Sequence, residues 1–281
     1  MLTSNPFAEL SASIPPSVMQ TYVIVMILLV VGGTVFDVIH KQSARYFFGA
    51  AKKSEENATR TVDGGEKVSL ALQTAASEVL TSSEFCNPKR RIAHLLGMYG
   101  FVIYLIATIV MVFSYPTAIS DTPVIWPLLW CIGALMVCVG GYWFWFFIRV
   151  DVASEGNSPF RIVRADLFIL SLLASCTLGL IWAYLQSAGS IVGASLFLGL
   201  YLIASTVLFA GIPWSKFSHM FFKPAAAYAK KVAVANGSMA NLPRPADRTN
   251  PEDSDRHSME LLKDAPLNMG LGIKREQPHH Y

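Results

Sequence analysis

Three stretches of the chain contain neither lysine nor arginine: residues 1–17, 114–123 and 186–190. All 22 of these cations fall within 38–93, 149–164 and the segment from Trp214 onward. Lys and Arg are retained on the cytoplasmic face during membrane insertion, so this absence sets an expected orientation, N-terminus outside and C-terminus in the cytoplasm. Charge of either sign is sparse, 15% against 53% hydrophobic residues, which excludes an ordinary soluble surface. Cysteine is equally sparse. Cys86, Cys131, Cys138 and Cys176 form no CxxC pair or ferredoxin-type run, which argues against an iron–sulfur cluster held by this chain alone. Cys131 and Cys138 share one side of a helix yet stand too far apart to bond, and all four read as small apolar residues. No Walker loop, GxGxxG, HExxH or GxSxG occurs, and no repeat of fixed period. Soluble-type catalysis has no candidate residues, and nothing suggests a nucleic-acid partner.

What is present is five long apolar stretches, at about 18–38, 95–114, 124–148, 166–186 and 191–213. Each is near the ~20 residues that cross ~30 Å of hydrocarbon. The expected fold is an all-α integral membrane protein, a five-helix transmembrane bundle occupying about 18–224, with short outer loops joining antiparallel neighbours. Residues 1–17 form an external N-terminal segment. The first stretch is read as a span rather than a cleavable signal, because its basic residues follow it. In the cytoplasmic loop 39–93, Ala44, Tyr46, Phe47 and Phe48 extend the first helix along the interface. Val68, Leu72, Ala75, Ala76, Val79 and Leu80 then recur at helical spacing, which predicts an amphipathic helix over about 66–80 that rests on the membrane or carries a partner. The tail 225–281 is cytoplasmic, and from about 236 its Pro, Asp, Asn, Arg and Ser content is that of a disordered segment able to dock. A basic inner face suits anionic lipid head groups or an acidic soluble partner.

Histidine is the residue type here that can carry chemistry. His257, His279 and His280 lie in the polar tail, whereas His40, His94 and His219 lie at inner ends of spans. A bis-histidine haem needs two neutral imidazoles at equal depth on facing helices, and His94 and His219 meet the depth requirement. The alternative is that each caps a helix end or meets a lipid phosphate.

RRIAHLLGMYGF, around His94, and PWSKFSHMFFKP, around His219, resemble the haem-bearing helices of the membrane cytochrome b subunits related to the respiratory nitrate reductase gamma chain. That group includes the membrane parts of heterodisulfide-reductase-type and quinone-interacting complexes. With NPFAEL, DVIHKQSARYFF and the number of spans added, the chain is most similar to the membrane-anchor subunits associated with adenylylsulfate reductase of sulfur-oxidising bacteria. The resemblance implies a b-type haem whose iron is ligated by His94 and His219, membrane quinone as redox partner, and cytoplasmic adenylylsulfate-reductase-like flavoprotein and iron–sulfur subunits docked on a bacterial inner membrane. Members with two haems carry a second histidine about ten residues into the first of these helices and another about eighteen residues before the final one. Those positions are Tyr104 and Tyr201 here. Five helical turns place Tyr201 ~27 Å from His219, toward the outer side, so the resemblance implies one inner haem and no outer one.

Arg90, Arg91, Lys216 and Lys223 flank the two histidines and suit haem propionates or acidic groups on a partner; positive-inside retention accounts for them equally. Asp37, His40 and Lys41, at the inner end of span one, are candidates for the mouth of a quinone pocket, and Asp37 is also placed to pair with Lys41 four residues on. The run Tyr142 to Phe147, with Trp126 and Trp130, reads as interfacial aromatic belts rather than an electron path. Gly32 with Gly33, Gly140 with Gly141, and Gly193 with Gly199 are expected at close helix approaches. The function expected is an electron-transfer anchor linking a soluble sulfur-metabolism oxidoreductase to quinone, as a non-catalytic or quinone-reactive subunit. The alternatives are a haem-free structural scaffold and, further off, a transporter, which would carry mid-span charges.

Overall fold

The computed structural model describes residues 2–83, 85, 87–215 and 222–242. Among them no strand occurs, and ten α-helices follow one another: α1 Pro6–Leu10, α2 Pro16–His40, α3 Ser43–Glu56, α4 Gly64–Thr74, α5 Pro88–Ser114, α6 Ile125–Trp143, α7 Val150–Ala153, α8 Leu167–Ser187, α9 Ile191–Gly211 and α10 Lys223–Ala235. Five helices, built on α2, α5, α6, α8 and α9, are long and apolar enough to cross a membrane. The protein is therefore a multi-pass membrane protein of the all-α class. In lipid only helices and closed barrels satisfy their own backbone groups, and the outward apolar residues Ile24, Leu28 and Phe36 of α2 and Ile203 of α9 form the surface such a solvent favours.

The chain divides into two units, Met1–Ala44 with Pro88–Lys223, and Arg45–Asn87 with Pro224–Tyr281. The first holds all five spans. Proline at the first turn starts α2 and α5, where the missing N–H costs nothing. α6 runs on into a π-helical turn at Phe144–Ile148, and the chain then leaves the helix at Arg149 with ψ of 134°.

Glycine sets how closely α5 and α6 approach. A Cβ on Gly133 would stand 2.7 Å from the Gly100 carbonyl oxygen and 2.7 Å from the Tyr104 nitrogen, and one on Gly140 would stand 2.7 Å from the Ala93 carbonyl oxygen. These neighbours are backbone and cannot rotate away. Gly33 meets Pro213, Gly141 meets Leu173, and Gly193 meets Ser190 and Leu185. Gly32 and Gly199, expected at similar approaches, have nothing within 4 Å, so their Cα atoms face outward. Gly100 and Gly133 are contacts the sequence reading did not single out, because they stand alone rather than in pairs.

The N-terminal segment packs against the ends of the spans. Asn5 caps α1 by accepting from the N–H groups of Phe7 and Ala8 at 3.0 and 3.2 Å. Its amide nitrogen donates to the carbonyl oxygen of Tyr115 at 2.9 Å and to Thr122 Oγ1 at 3.2 Å. The side-chain amide of Gln186 donates to the Pro6 carbonyl oxygen at 2.7 Å. Phe7 is thereby pressed edge-on against Trp130 and Trp182.

The second unit gathers α3, α4 and α10. The expected amphipathic helix is α4, continued by a π-helical turn at Ala75–Leu80, with Val68, Leu72 and Leu80 exposed. Its organising residue is Asn236, just past α10, which is 3% exposed. The Asn236 carbonyl oxygen accepts from the Thr59 and Arg60 N–H groups at 2.9 and 3.2 Å, and its side-chain amide donates to the Ser54 carbonyl oxygen at 3.2 Å. Gly237 follows with φ of 73°, a left-handed conformation that glycine adopts freely at a helix end.

Gly133→Ala forces two backbones apart and is expected to destabilise the purified protein by about 1–3 kcal/mol. Gly199→Ala meets open space and should be neutral or stabilising by up to about 1 kcal/mol. Thermal unfolding in detergent compares the two, and equal effects would contradict the packing described.

Candidate functional site

Two buried tyrosines meet at the centre of the first unit. The Tyr104 hydroxyl of α5 donates to the Tyr201 hydroxyl of α9 at 3.1 Å. Tyr104 lies ten residues before Ser114, the end of α5, and Tyr201 ten residues after Ile191, the start of α9. At 1.5 Å per residue both stand ~15 Å from those ends, near mid-membrane rather than toward one side.

The pair is boxed by aromatic rings. Tyr104 stacks on Trp130 with centroids 5.1 Å apart, and Tyr201 stacks on Trp182 at 5.7 Å. Trp130 Nε1 donates to Thr108 Oγ1 at 3.0 Å, and Thr108 donates in turn to the Tyr104 carbonyl oxygen at 2.8 Å. Gly179 of α8 makes the room: a Cβ there would stand 3.1 Å from the Tyr104 hydroxyl oxygen and 3.3 Å from the Tyr201 ring. Below the pair, Ser175 of α8 and Ser205 of α9 share a hydrogen bond at 2.8 Å, and Tyr22 of α2 donates to the Leu202 carbonyl oxygen at 3.0 Å. Hydroxyl-to-hydroxyl and hydroxyl-to-carbonyl bonds of this kind join helices that hydrophobicity alone cannot hold together in lipid.

This geometry decides the fit of an outer haem. Its two ligand positions, by the sequence resemblance, are Tyr104 and Tyr201, and their hydroxyls touch. No porphyrin plane passes between two directly bonded groups, and stacked tryptophans fill the flanks. The outer position does not accommodate the group.

At the other end of the spans, His94 lies on α5 two turns before Phe101, whose ring approaches Phe209 of α9 with centroids 6.3 Å apart. The side of α5 bearing His94 is thus the side that meets α9. Stepping from Tyr104 to Phe101 moves the opposing level from Tyr201 to Phe209. Two further turns bring His94 level with the end of α9 and the 3₁₀ turn Ile212–Trp214. His94 is exposed. His219 and Lys216 lie outside the described residues.

Arg90 donates to the Ile148 carbonyl oxygen at 3.2 Å, closing the end of α6. Asp37 is buried and bonds Lys41 at 2.7 Å, so its carboxylate is held within its own helix. His40 is exposed and stacks on Phe36 with centroids 5.6 Å apart and an interplanar angle of 6°. Asp37, His40 and Lys41 thus lie together at the C-terminal end of α2.

Arg149 is the charged residue that sequence reasoning passed over. It is 5% exposed, donates to Asp166 Oδ2 at 2.7 Å and to the Arg161 carbonyl oxygen at 2.9 Å, and its guanidinium carbon stands 3.9 Å from the centre of the Trp145 ring. Asp166 also accepts from the Val163 N–H at 3.0 Å. The pair ties the 149–166 connection back onto the spans. An Arg and an Asp 17 residues apart in one basic loop look like ordinary inner-face charges, and only the fold brings them together.

No family model, curated protein or solved structure matches the chain.

Removing one partner of a buried ion pair strands the other. Asp166→Ala is expected to cost about 3–5 kcal/mol of unfolding free energy, and the double variant Asp166→Ala with Arg149→Met distinctly less than that. Denaturant unfolding of both gives the comparison; an Asp166→Ala protein as stable as the wild type would contradict the pair's burial.

Proposed function

We propose that the protein is the membrane anchor and electron-transfer subunit of a cytoplasmic sulfur-metabolism oxidoreductase of the adenylylsulfate reductase type, linking it to membrane quinone at a bacterial inner membrane. The observation that carries this reading is that aromatic side chains on one side of α5 reach across to α9. Tyr104 meets Tyr201, Phe101 approaches Phe209, and the same side of α5 continues to His94, level with the end of α9, after which the sequence carries His219.

In this reading His94 and His219 hold a single b-type haem near the cytoplasmic face. Such a group supplies a one-electron relay when bound. The chain's own residues do the rest. Arg91, Lys216 and Lys223 offer cations to propionates or to an acidic partner, while Arg90 anchors the end of α6 through Ile148. The Tyr104–Tyr201 contact, incompatible with an outer haem, supports one centre rather than two. Against a transporter stands the placement of charge: among the described residues the buried charged side chains Asp37, Arg149 and Asp166 sit at or beyond span ends, where a transport site would place them mid-membrane.

A reduced-minus-oxidised visible spectrum of the purified full chain tests the proposal. A b-type band that disappears in His94→Ala and in His219→Ala is the expected result. A folded chain with no such band leaves a haem-free scaffold, and a band that survives both substitutions assigns the iron to other ligands.

A further inference from the structure

We infer that the cavity bounded by α2, α5, α8 and α9 binds the carbonyl edge of a membrane quinone through the hydroxyl of Tyr201. The inference rests on the electron-transfer reading above and moves the quinone away from Asp37, His40 and Lys41, where the Asp37 carboxylate is already committed to Lys41.

The cavity has a volume of about 40 Å³, room for roughly three waters, or for the leading edge of a ring whose remainder stays in the mouth. Its walls are apolar, Met26 and Leu208 among them, and its polar groups are hydroxyls of Tyr22, Tyr104, Thr108, Ser175, Tyr201 and Ser205. No ionisable carboxylate, lysine, arginine or histidine lines it. A site of neutral donors suits a neutral oxygen and offers nothing to a phosphate or a metal cation.

The hydroxyls form one cluster. Tyr201 accepts the proton of Tyr104, and its own proton has the Ser205 hydroxyl on one side and the cavity on the other. The Ser175–Ser205 bond uses one of its two hydroxyl protons, and the other is shared with the tyrosine oxygens. Those donors sit behind apolar walls at mid-membrane, where an unmade hydrogen bond is costly. Phospholipid ester carbonyls lie at the interface. An acceptor at ~15 Å from the span ends must be carried on a body that dissolves in hydrocarbon, which a prenylated quinone does and a fatty ketone also does.

Access is sideways from the lipid. α2, one wall of the cavity, is the least buried of the spans, at 17% against 28–44% for the others. Its lining residue Ile27 is 43% exposed, while Tyr201 and Leu208 are buried. Ile27 with the half-buried Phe101, Leu105 and Phe209 marks the mouth, and Tyr201 and Leu208 mark the floor.

Tryptophan fluorescence of the full chain in detergent, titrated with decylubiquinone, tests this, because Trp130 and Trp182 stack on the two tyrosines and a quinone in the cavity quenches them. The expected result is saturable quenching that weakens about tenfold in Tyr201→Phe, disappears in the cavity-filling variant Leu208→Phe with its melting transition retained, is unchanged in Asp37→Asn and is not displaced by 2-tridecanone. Should Asp37→Asn weaken binding while Tyr201→Phe and Leu208→Phe do not, the quinone belongs at the end of α2: the cavity assignment falls and the electron-transfer reading stands. Displacement by 2-tridecanone makes the site one for any fatty carbonyl and overturns the quinone assignment. Strictly linear quenching in the wild type overturns both the site and the quinone part of the proposed function.

Discussion

The hydrogen bond between Tyr104 and Tyr201 is the constraint that joins the two closely packed helix pairs, α5 with α6 and α8 with α9. Lipid gives two apolar helices no hydrophobic reason to prefer one another over the solvent, so the register of α5 on α9 must come from packing shape and from polar contacts. The tyrosine pair supplies both. Its rings fill the space left by Gly179, and its hydroxyls fix a single level at which the two helices meet. His94 lies on the same side of α5, two turns from Phe101, on the stretch of that helix which Gly140 of α6 meets at Ala93.

Around this point the remaining contacts act as supports. Gly100 and Gly133 bring α6 close enough for Trp130 to lie on Tyr104. Phe7, delivered by the Asn5-capped first helix, closes the gap between Trp130 and Trp182. Such an arrangement trades a cofactor-sized space for a dense aromatic plug on one side of mid-membrane, yet leaves a small hydroxyl-lined cavity beside α2. In the reading proposed, the haem lies at the basic end of the bundle, and the tyrosine box joins α5 to α9 beside the cavity.

Much of this architecture could be read from the residues. The spans emerged with their boundaries nearly intact, because apolar length and the flanking cations are properties of single segments. α5 is the exception: it begins at Pro88 rather than near 95, since Lys89, Arg90 and Arg91 are good helix formers that a hydropathy reading discards. Tyr104 and Tyr201 stand out only through the family resemblance, as the positions of the missing histidines, and their contact is not legible at all, because no rule of spacing says that two residues 97 apart share a bond. The N-terminal plug was invisible for the same reason. NPFAEL shows a capping Asn before a Pro, a helix start, but nothing in it names Trp130, Trp182 and Gln186 as its receivers. The Arg149–Asp166 pair was hidden by the positive-inside pattern, which explains a basic loop so well that one buried arginine within it attracts no notice.

A double-mutant cycle on Tyr104→Phe and Tyr201→Phe, read as unfolding free energy of the protein in bicelles, measures the central interaction itself. The structure predicts that the two substitutions are not additive, with a favourable coupling of about 0.5–1.7 kcal/mol, the range of hydrogen bonds between membrane helices. Additivity within error would contradict it, since two hydroxyls that do not sense one another cannot be joining α5 to α9.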